Sequence, residues 1–152
     1  MTKGHLADAG IVSNVYAVYP RSSYGGAMAW LARQLRTDGA TAAVELHFNS
    51  AHPAAKGYEY LHWSTSTRGK ALAAAIHAAH KAVMGDNQAD RGVKGKGRGS
   101  RGSGFLRATH CPAVIAEPFF GSNPAEWADW GDSQERLAQI YAAGIRGWLG
   151  VA

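Results

Sequence analysis

The chain has 152 residues, of which 46% are hydrophobic and 18% are charged, a composition typical of one folded domain and not of a disordered chain. Its single cysteine, Cys111, excludes an intrachain disulfide and a zinc site built from several cysteines. The net charge of +5 indicates attraction to an acidic partner or surface, and no apolar run approaches the ~20 residues of a membrane helix.

The first part of the chain predicts helices and strands in alternation. Leu6 and Gly10 are typical of the last turn of a helix and its C-terminal cap, so we expect the chain to begin inside a helix. Alternation over 15–19 predicts a strand. Apolar residues at helical spacing predict a helix over 27–36, and the following strand, 42–49, places His47 among the inward-facing residues.

The second part contains one segment of a different composition. Residues 86–104 are rich in glycine, serine and basic side chains, with little to bury, and this favours a mobile loop. The same segment has no aromatic residue, so it lacks a stacking platform for single-stranded nucleic acid. The other predicted elements are strands over 57–63 and 113–117 and helices over 67–84, 124–130 and 133–149.

Strands alternating with helices predict an α/β fold. We expect a single domain over 1–152, built as a mostly parallel twisted sheet with helices on both faces, a three-layer sandwich.

Two polar residues lie at the ends of predicted apolar strands. Glu117 ends the strand that contains Val114 and Ile115, and His47 precedes Asn49 at the end of another strand. A neutral histidine is a zinc ligand, and a separate carboxylate can take a proton from a bound water. The alternative is structural: His47 is a hydrogen-bonded core histidine, and Glu117 is a buried salt-bridge partner.

The order of the motifs resembles that of the zinc-dependent N-acetylmuramoyl-L-alanine amidases of the amidase-3 family. The segment Leu46-His-Phe-Asn-Ser-Ala51 is similar to the family's Ser-x-His-x-Asn-Ala strand end, and Gly57-Tyr-Glu59 to its Gly-x-Glu strand. Asp90-Arg-Gly92 is similar to the Arg-Gly that follows the long helix. Residues 106–123 match the closing signature, Leu-Arg-x-Thr-x-x-Pro-Ala-Val-x-x-Glu-x-x-Phe-x-Ser-Asn.

The resemblance implies a Zn²⁺ cofactor, with His47 as a metal ligand and Glu117 as the catalytic acid/base. Asn49, Glu59 and Arg107 are candidate substrate contacts, and for Arg107 the alternatives are orienting Glu117 and stabilising a turn. The family supplies two further zinc ligands, a histidine in a Gly-His-Gly loop and a glutamate early in the first helix, and neither motif occurs in this sequence. We therefore expect an N-terminally incomplete domain whose sheet exposes an edge, which favours marginal stability and association through that edge.

The remaining early donors and histidines are weaker candidates. Glu45 shares the strand face of His47 and is a possible ligand, and His52 and His62 are possible replacement ligands or substrate contacts. His77 and His80 have a spacing that also suits a solvated helix face.

The resemblance implies cleavage of the amide between N-acetylmuramic acid and L-alanine of peptidoglycan. Without a signal-peptide core after Met1, we expect synthesis in the cytoplasm and action at the cell wall or periplasm, as for a phage-type lysin. The alternative is an inactive amidase-like remnant that binds the wall without catalysis. A third hypothesis, a nucleic-acid-binding protein, is not supported by the motif order. The oligomeric state does not follow from the sequence.

Overall fold

The computed structural model describes residues 1–20, 22–130 and 132–151, which form an α/β fold. The helices are α1 (Thr2–Ala7), α2 (Tyr24–Thr37), α3 (Thr67–Met84), α4 (Ser103–Ala108), α5 (Pro124–Trp130) and α6 (Gln134–Leu149). The strands are β1 (Ala43–Leu46), β2 (Tyr58–Trp63), β3 (Asp90–Lys96) and β4 (Ala113–Glu117). In this described part of the chain, none of the helices has the length and apolar character needed to cross a membrane.

The sheet has the strand order β1-β4-β2-β3. The outer pairs, β1 with β4 and β2 with β3, are parallel, and the central pair, β2 with β4, is antiparallel. The prediction of a mostly parallel sheet in an α/β fold is confirmed, with one antiparallel pair at its centre. This arrangement leaves β1 and β3 as the two edge strands.

Helices cover both faces of the sheet. Because residues alternate between the faces along each strand, a single strand contributes side chains to the core on each face. Tyr58 and Tyr60 of β2 pack with α3, α5 and α6 in one hydrophobic core. Leu61 of β2 and Ile115 of β4 pack with α2 and α4 in the other. The face under α2 and α4 also carries the odd-numbered residues at the end of β4, and therefore Glu117.

Local sequence signals set the helix ends. The Ser23 and Ser66 hydroxyls accept backbone N–H groups at the starts of α2 and α3. Asn123 Oδ1 accepts the N–H groups of Ala125 and Glu126, which begins α5 immediately after the Glu117 strand.

The prediction of a mobile loop over 86–104 is wrong in its secondary structure, because Asp90–Lys96 forms strand β3 at the sheet edge. Its glycines and charges predict a loop by local propensity. The strand forms because its backbone pairs with β2 and because two of its cations bind a buried glutamate of that strand. This is a tertiary effect that the composition of the segment does not contain.

The strand predicted over 15–19 is also wrong, because those residues have no strand pairing. Tyr16 and Tyr19 instead pack edge-on against Trp30 of α2, with ring centroids 5.7 and 6.1 Å away. The Tyr16 hydroxyl donates to the carboxylate of Asp38. Side-chain contacts with α2 therefore hold this segment, and the alternation of apolar residues reflects tyrosine packing.

Candidate active site

Three titratable residues follow one another across the sheet on the face covered by α2 and α4. The register of β1 on β4 aligns Leu46 with Ala116, so the next position places His47 beside Glu117. The His47 N–H donates to the Ala116 carbonyl over 3.0 Å. Glu59 lies opposite Glu117 in the antiparallel pairing of β2 with β4. Because neighbouring strands lie about 4.8 Å apart, these side chains form one row.

Glu59 is a buried carboxylate with three hydrogen-bond donors. Arg91 Nε and Lys94 Nζ donate to its Oε2 over 2.7 and 2.6 Å, and Asn49 Nδ2 donates to its Oε1 over 3.2 Å. Burial by itself raises the pKa of Glu59, but the bonds from Lys94 and Arg91 outweigh it and hold that pKa at about 2. Glu59 is therefore ionised at neutral pH.

Glu117 is only 4% exposed and has a different electrostatic environment. Burial and, second, the neighbouring Glu59 carboxylate raise the pKa of Glu117, while Arg101 and Lys96 oppose the shift. Arg101 is the nearest cation, with its NH2 group 3.5 Å from Glu117 Oε1, and it is largely exposed. The two neighbouring carboxylates thus have pKa values moved in opposite directions, the pattern of general acid/base sites.

His47 does not point into the core as predicted, because β1 is an edge strand and, within the described residues, no strand pairs with its outer side. The His47 side chain is 44% exposed, and its Nε2 lies 3.7 Å from Glu45 Oε2. Partial burial and, second, the charge of Arg101 lower the pKa of His47, which favours the neutral imidazole. Neutral imidazole is the form that binds a metal.

The donors of this row do not complete a catalytic zinc site within one chain. His47 and Glu45 are close enough to share an ion, whereas a catalytic zinc takes three protein ligands and a water. Among residues 1–20, 22–130 and 132–151, no group of three or more histidine, cysteine, aspartate or glutamate side chains could hold a metal ion. The zinc that the resemblance implies therefore does not fit the donors present in a single chain.

Asn49 joins the two strand ends to each other. Besides its bond to Glu59, its N–H donates to the Phe119 carbonyl and its carbonyl accepts the Gly121 N–H, over 2.8 and 2.9 Å. These bonds hold the segment after β1 against the segment after β4. Asn49 is only 7% exposed, so its side chain is directed at Glu59 and not at solvent.

The sequence analysis did not identify Glu126, which holds the backbone behind the row. Its Oε1 accepts the Gly57 N–H and its Oε2 accepts the Phe120 N–H, each over 2.7 Å. Gly57 precedes β2, and Phe120 follows β4. One buried carboxylate on α5 therefore fixes the segments next to both Glu59 and Glu117. The position of Glu126 in the first turn of α5 gave no signal of this role.

A chain of buried side chains continues from Glu126 into the core. Gln88 Nε2 donates to the Pro118 carbonyl over 2.8 Å and to Glu126 Oε1 over 3.3 Å. Since its amide nitrogen donates there, Gln88 Oε1 accepts from His80 Nε2 over 2.8 Å, and His80 Nδ1 accepts from the Tyr60 hydroxyl over 2.6 Å. His80 is fully buried, so the interpretation of a solvated helix face is wrong for it.

The structure does not bring the other candidates to this row. Arg107 lines a cavity of about 350 Å³ together with Ala113 at the start of β4, the end opposite Glu117. His62 lies opposite Val114, and its Nδ1 contacts the Trp63 carbonyl. His52 is exposed and its Nδ1 accepts the N–H of Ala54. The predicted site thus contains His47, Asn49, Glu59 and Glu117, with Arg101 as a contact that the motifs did not indicate.

Comparisons with known proteins give a consistent family. Residues 3–147 match the profile of the family described as Amidase_3, N-acetylmuramoyl-L-alanine amidase. No curated protein matches the chain.

Solved structures of two amidases and of one endolysin domain have a similar fold. The catalytic domain of CwlV, an N-acetylmuramoyl-L-alanine amidase from Bacillus (Paenibacillus) polymyxa var. colistinus, is similar with a TM-score of 0.79 and 23% identity, over 99% of this chain and 80% of that one. The CwlD amidase from Clostridioides difficile, solved with the GerS lipoprotein, is similar with a TM-score of 0.79 and 20% identity. The match covers 98% of this chain and 81% of that one. The catalytic domain of the CD27L endolysin targeting Clostridia difficile is similar with a TM-score of 0.71 and 20% identity. The match covers 99% of this chain and 80% of that one.

Proposed function

The chain belongs to the N-acetylmuramoyl-L-alanine amidase family, and from this premise we propose that it is a peptidoglycan hydrolase that cleaves the amide between the lactyl group of N-acetylmuramic acid and L-alanine. The observation that carries the proposal is the row of Glu59 and Glu117, two neighbouring buried carboxylates with opposite pKa shifts, within a chain that matches the family over 3–147.

In the proposed reaction Glu117 moves the proton. As a carboxylate, Glu117 accepts a proton from the water whose oxygen attacks the amide carbonyl carbon. As a carboxylic acid, it returns that proton to the amide nitrogen when the C–N bond breaks, which releases the L-alanine amine. Burial and, second, the neighbouring Glu59 carboxylate raise the pKa of Glu117, which favours the protonated form that the second step needs.

Glu59 and its cations position the row and do not transfer the proton. With a pKa of about 2, Glu59 stays ionised and holds Arg91 and Lys94. Arg101 is 62% exposed beside Glu117, so its guanidinium is free to turn toward the developing negative charge of the substrate oxygen. In this proposal Asn49 acts through Glu59, and Arg107, which lines the cavity at the opposite end of β4, contacts a part of the substrate remote from Glu117.

His47 remains the proposed metal ligand of this chain. Its exposed, neutral imidazole supports that role, and the missing third donor limits it. The reaction above is therefore written from the chain's own residues only.

The experiment is digestion of purified peptidoglycan sacculi, with the soluble products identified by mass spectrometry. The expected product is a stem peptide with a free L-alanine amine, together with glycan strands that keep the lactyl group. Glu117→Gln should lower the rate by about a hundredfold or more. Glu135→Gln, an exposed glutamate of α6, is the matched control and should leave the rate unchanged. Cleaved glycosidic bonds, or equal rates for wild type and Glu117→Gln, would refute the proposal.

A second function is favoured by the incomplete donor set: an amidase-like protein that binds the wall without cutting it. It predicts co-sedimentation with sacculi, competed by soluble muropeptides, and no released amine with or without added zinc chloride. If the protein is active, we propose that it is a phage-type lysin that acts at the cell wall.

A further inference from the structure

Arg91 reaches the row of Glu59 and Glu117 through a β-bulge at the start of β3. The pairing of β2 with β3 shifts its register between Tyr58 and Tyr60, where β3 has one extra residue. Arg91 and Gly92 therefore lie opposite the single residue Glu59. The glycine has a φ of +78°, in the left-handed region that suits glycine. A bulge of this kind re-aims a side chain, and here it directs Arg91 at Glu59.

Two contacts fix the plane of the Arg91 guanidinium. Its Nε donates to Glu59 Oε2 over 2.7 Å, and its Cζ lies 5.0 Å from the centroid of the Phe120 ring. Phe120 is itself held in place, because it is 2% exposed and its N–H donates to the carboxylate of Glu126. The contact with the ring and the charge-assisted hydrogen bond act on different parts of the guanidinium, so together they hold it in one orientation.

The bond to Glu59 leaves the outer edge of this guanidinium available. A guanidinium has five N–H donors in a planar fork, and Glu59 takes the one at Nε. Within the residues that the structure describes, no hydrogen bond or ion pair engages the two Nη groups of Arg91, whose side chain is 38% exposed. Two parallel Nη–H donors match the two oxygens of a carboxylate. Strands β2 and β4 separate β3 from β1, so this end of the row is remote from the outer side of β1.

The row contains more positive than negative charge. Arg91 and Lys94 both contact Oε2 of Glu59, and Arg101 contacts Glu117. One cation is enough to neutralise each carboxylate, so one positive charge is left over. In the described part of the chain, no further carboxylate forms an ion pair with these three cations. A surplus charge at a partly exposed position attracts an anion.

We propose that Arg91 is a specificity-determining residue that binds a free carboxylate of the stem peptide through its two Nη groups. The identity of the ligand rests on the proposed function, which places the L-alanine nitrogen next to Glu117. Glu59 lies one strand spacing, about 4.8 Å, from Glu117, and Arg91 is bonded to Glu59. An extended peptide advances about 3.3–3.6 Å per residue, so the α-carboxylate of the residue after L-alanine is within reach of the guanidinium. The protein should therefore prefer a stem peptide in which this group is a carboxylate over one in which it is an amide.

The test is isothermal titration calorimetry with two ligands that differ at one group. They are N-acetylmuramoyl-L-alanyl-D-glutamate and N-acetylmuramoyl-L-alanyl-D-isoglutamine, in which the α-carboxylate is replaced by an amide. All proteins carry Glu117→Gln, so that the scissile amide stays intact during the titration. We expect the carboxylate form to bind about tenfold more tightly, and we expect this preference to shrink as salt is added. Equal affinities for the two ligands, or no binding of either, would overturn the inference.

Matched variants separate the guanidinium fork from charge alone. Arg91→Gln should remove the preference, and Arg91→Lys, which keeps the charge without the fork, should lose most of it. Lys94→Gln removes the same charge from the same oxygen of Glu59 and should keep the preference. Arg33→Gln, at an exposed arginine of α2, should bind both ligands like the parent protein. Circular dichroism checks that each variant is folded, and Arg91→Lys decides the matter if Arg91→Gln does not fold. A folded Arg91→Gln with an intact preference, or equal losses in Arg91→Gln and Lys94→Gln, would refute the role of Arg91.

The result of this titration is separable from the result of peptidoglycan digestion. Binding needs no catalysis, so a protein that prefers the carboxylate form but releases no L-alanine amine from sacculi would support the role of Arg91 and refute the amidase activity. Release of the amine by a protein that binds the two ligands equally would refute the role of Arg91 and support the amidase activity.

Discussion

Removing the carboxylate of Glu126 should destabilise the protein far more than removing an exposed glutamate. In Glu126→Ala the N–H groups of Gly57 and Phe120 each lose an acceptor at 2.7 Å in a buried environment. A buried donor left without a partner costs about 1–3 kcal/mol, so the two together cost about 2–6 kcal/mol. For a chain of this length, 1 kcal/mol corresponds to about 2–4 °C in Tm, which gives a fall of about 4–24 °C.

The measurement is urea and thermal unfolding of wild type and Glu126→Ala, followed by circular dichroism. Glu135→Ala is the matched control, because Glu135 is exposed and pairs with His5 at the surface, where solvent screens an ion pair. Amide hydrogen exchange adds a local readout, since the Gly57 and Phe120 amides should lose protection beyond the global change. A loss below about 1 kcal/mol in Glu126→Ala would show that these buried amides find other acceptors and would refute the reasoning.

Three further predictions concern packing, pH and the carboxylate pair. Gly144→Ala should destabilise the protein by about 1–3 kcal/mol in urea unfolding, because a Cβ there would lie 2.5 Å from Ile76 Cα. Gly147→Ala on the same helix meets open space and should stabilise the protein by about 0.5–1 kcal/mol. Equal effects of the two substitutions would refute this prediction. Burial lowers the pKa of His80 from 6.5 to about 4, so between these pH values the unfolded protein binds more protons than the folded protein. The contribution of His80 to stability should therefore be complete above about pH 6.5, and the free energy of unfolding should fall by about 3 kcal/mol toward pH 4. His80→Gln should flatten that decline, and an unchanged pH dependence would contradict it. Glu59→Gln removes a charge that raises the pKa of Glu117, so the acid limb of the pH–rate profile for peptidoglycan cleavage should move to lower pH; a limb that stays in place would argue against the pairing.

The sequence predicted the elements whose local pattern and tertiary role agree. The helix over 67–84 has Ser66 as its cap and Gly85 as its stop, and it matches α3 from Thr67 to Met84. The buried strand with Glu117 at its end is likewise found as β4. In both cases the period of the apolar residues and the flanking residues indicate the same structure, so no distant contact is needed to decide it.

The misses arise where a distant contact decides. Strand β3 contains four charged residues and two glycines of the kind that favour a loop, and it becomes a strand through Glu59, which lies about thirty positions earlier in the sequence. His47 was expected to face inward because its neighbours are apolar, but burial depends on whether a further strand lies beside β1. Glu126 was missed because an acidic residue in the first turn of a helix is common, and its two backbone partners are remote in sequence.

The placement of β3 changes the meaning of the positive net charge. Counted along the sequence, Arg91, Lys94 and Arg101 suggest a basic surface for an acidic partner. In the fold, Arg91 and Lys94 both bind Glu59, and Arg101 lies beside Glu117. These cations offset two buried carboxylates that would otherwise repel each other across neighbouring strands. Much of the apparent excess therefore acts within the candidate site, where it keeps Glu59 ionised and leaves Glu117 as the carboxylate that can exchange a proton.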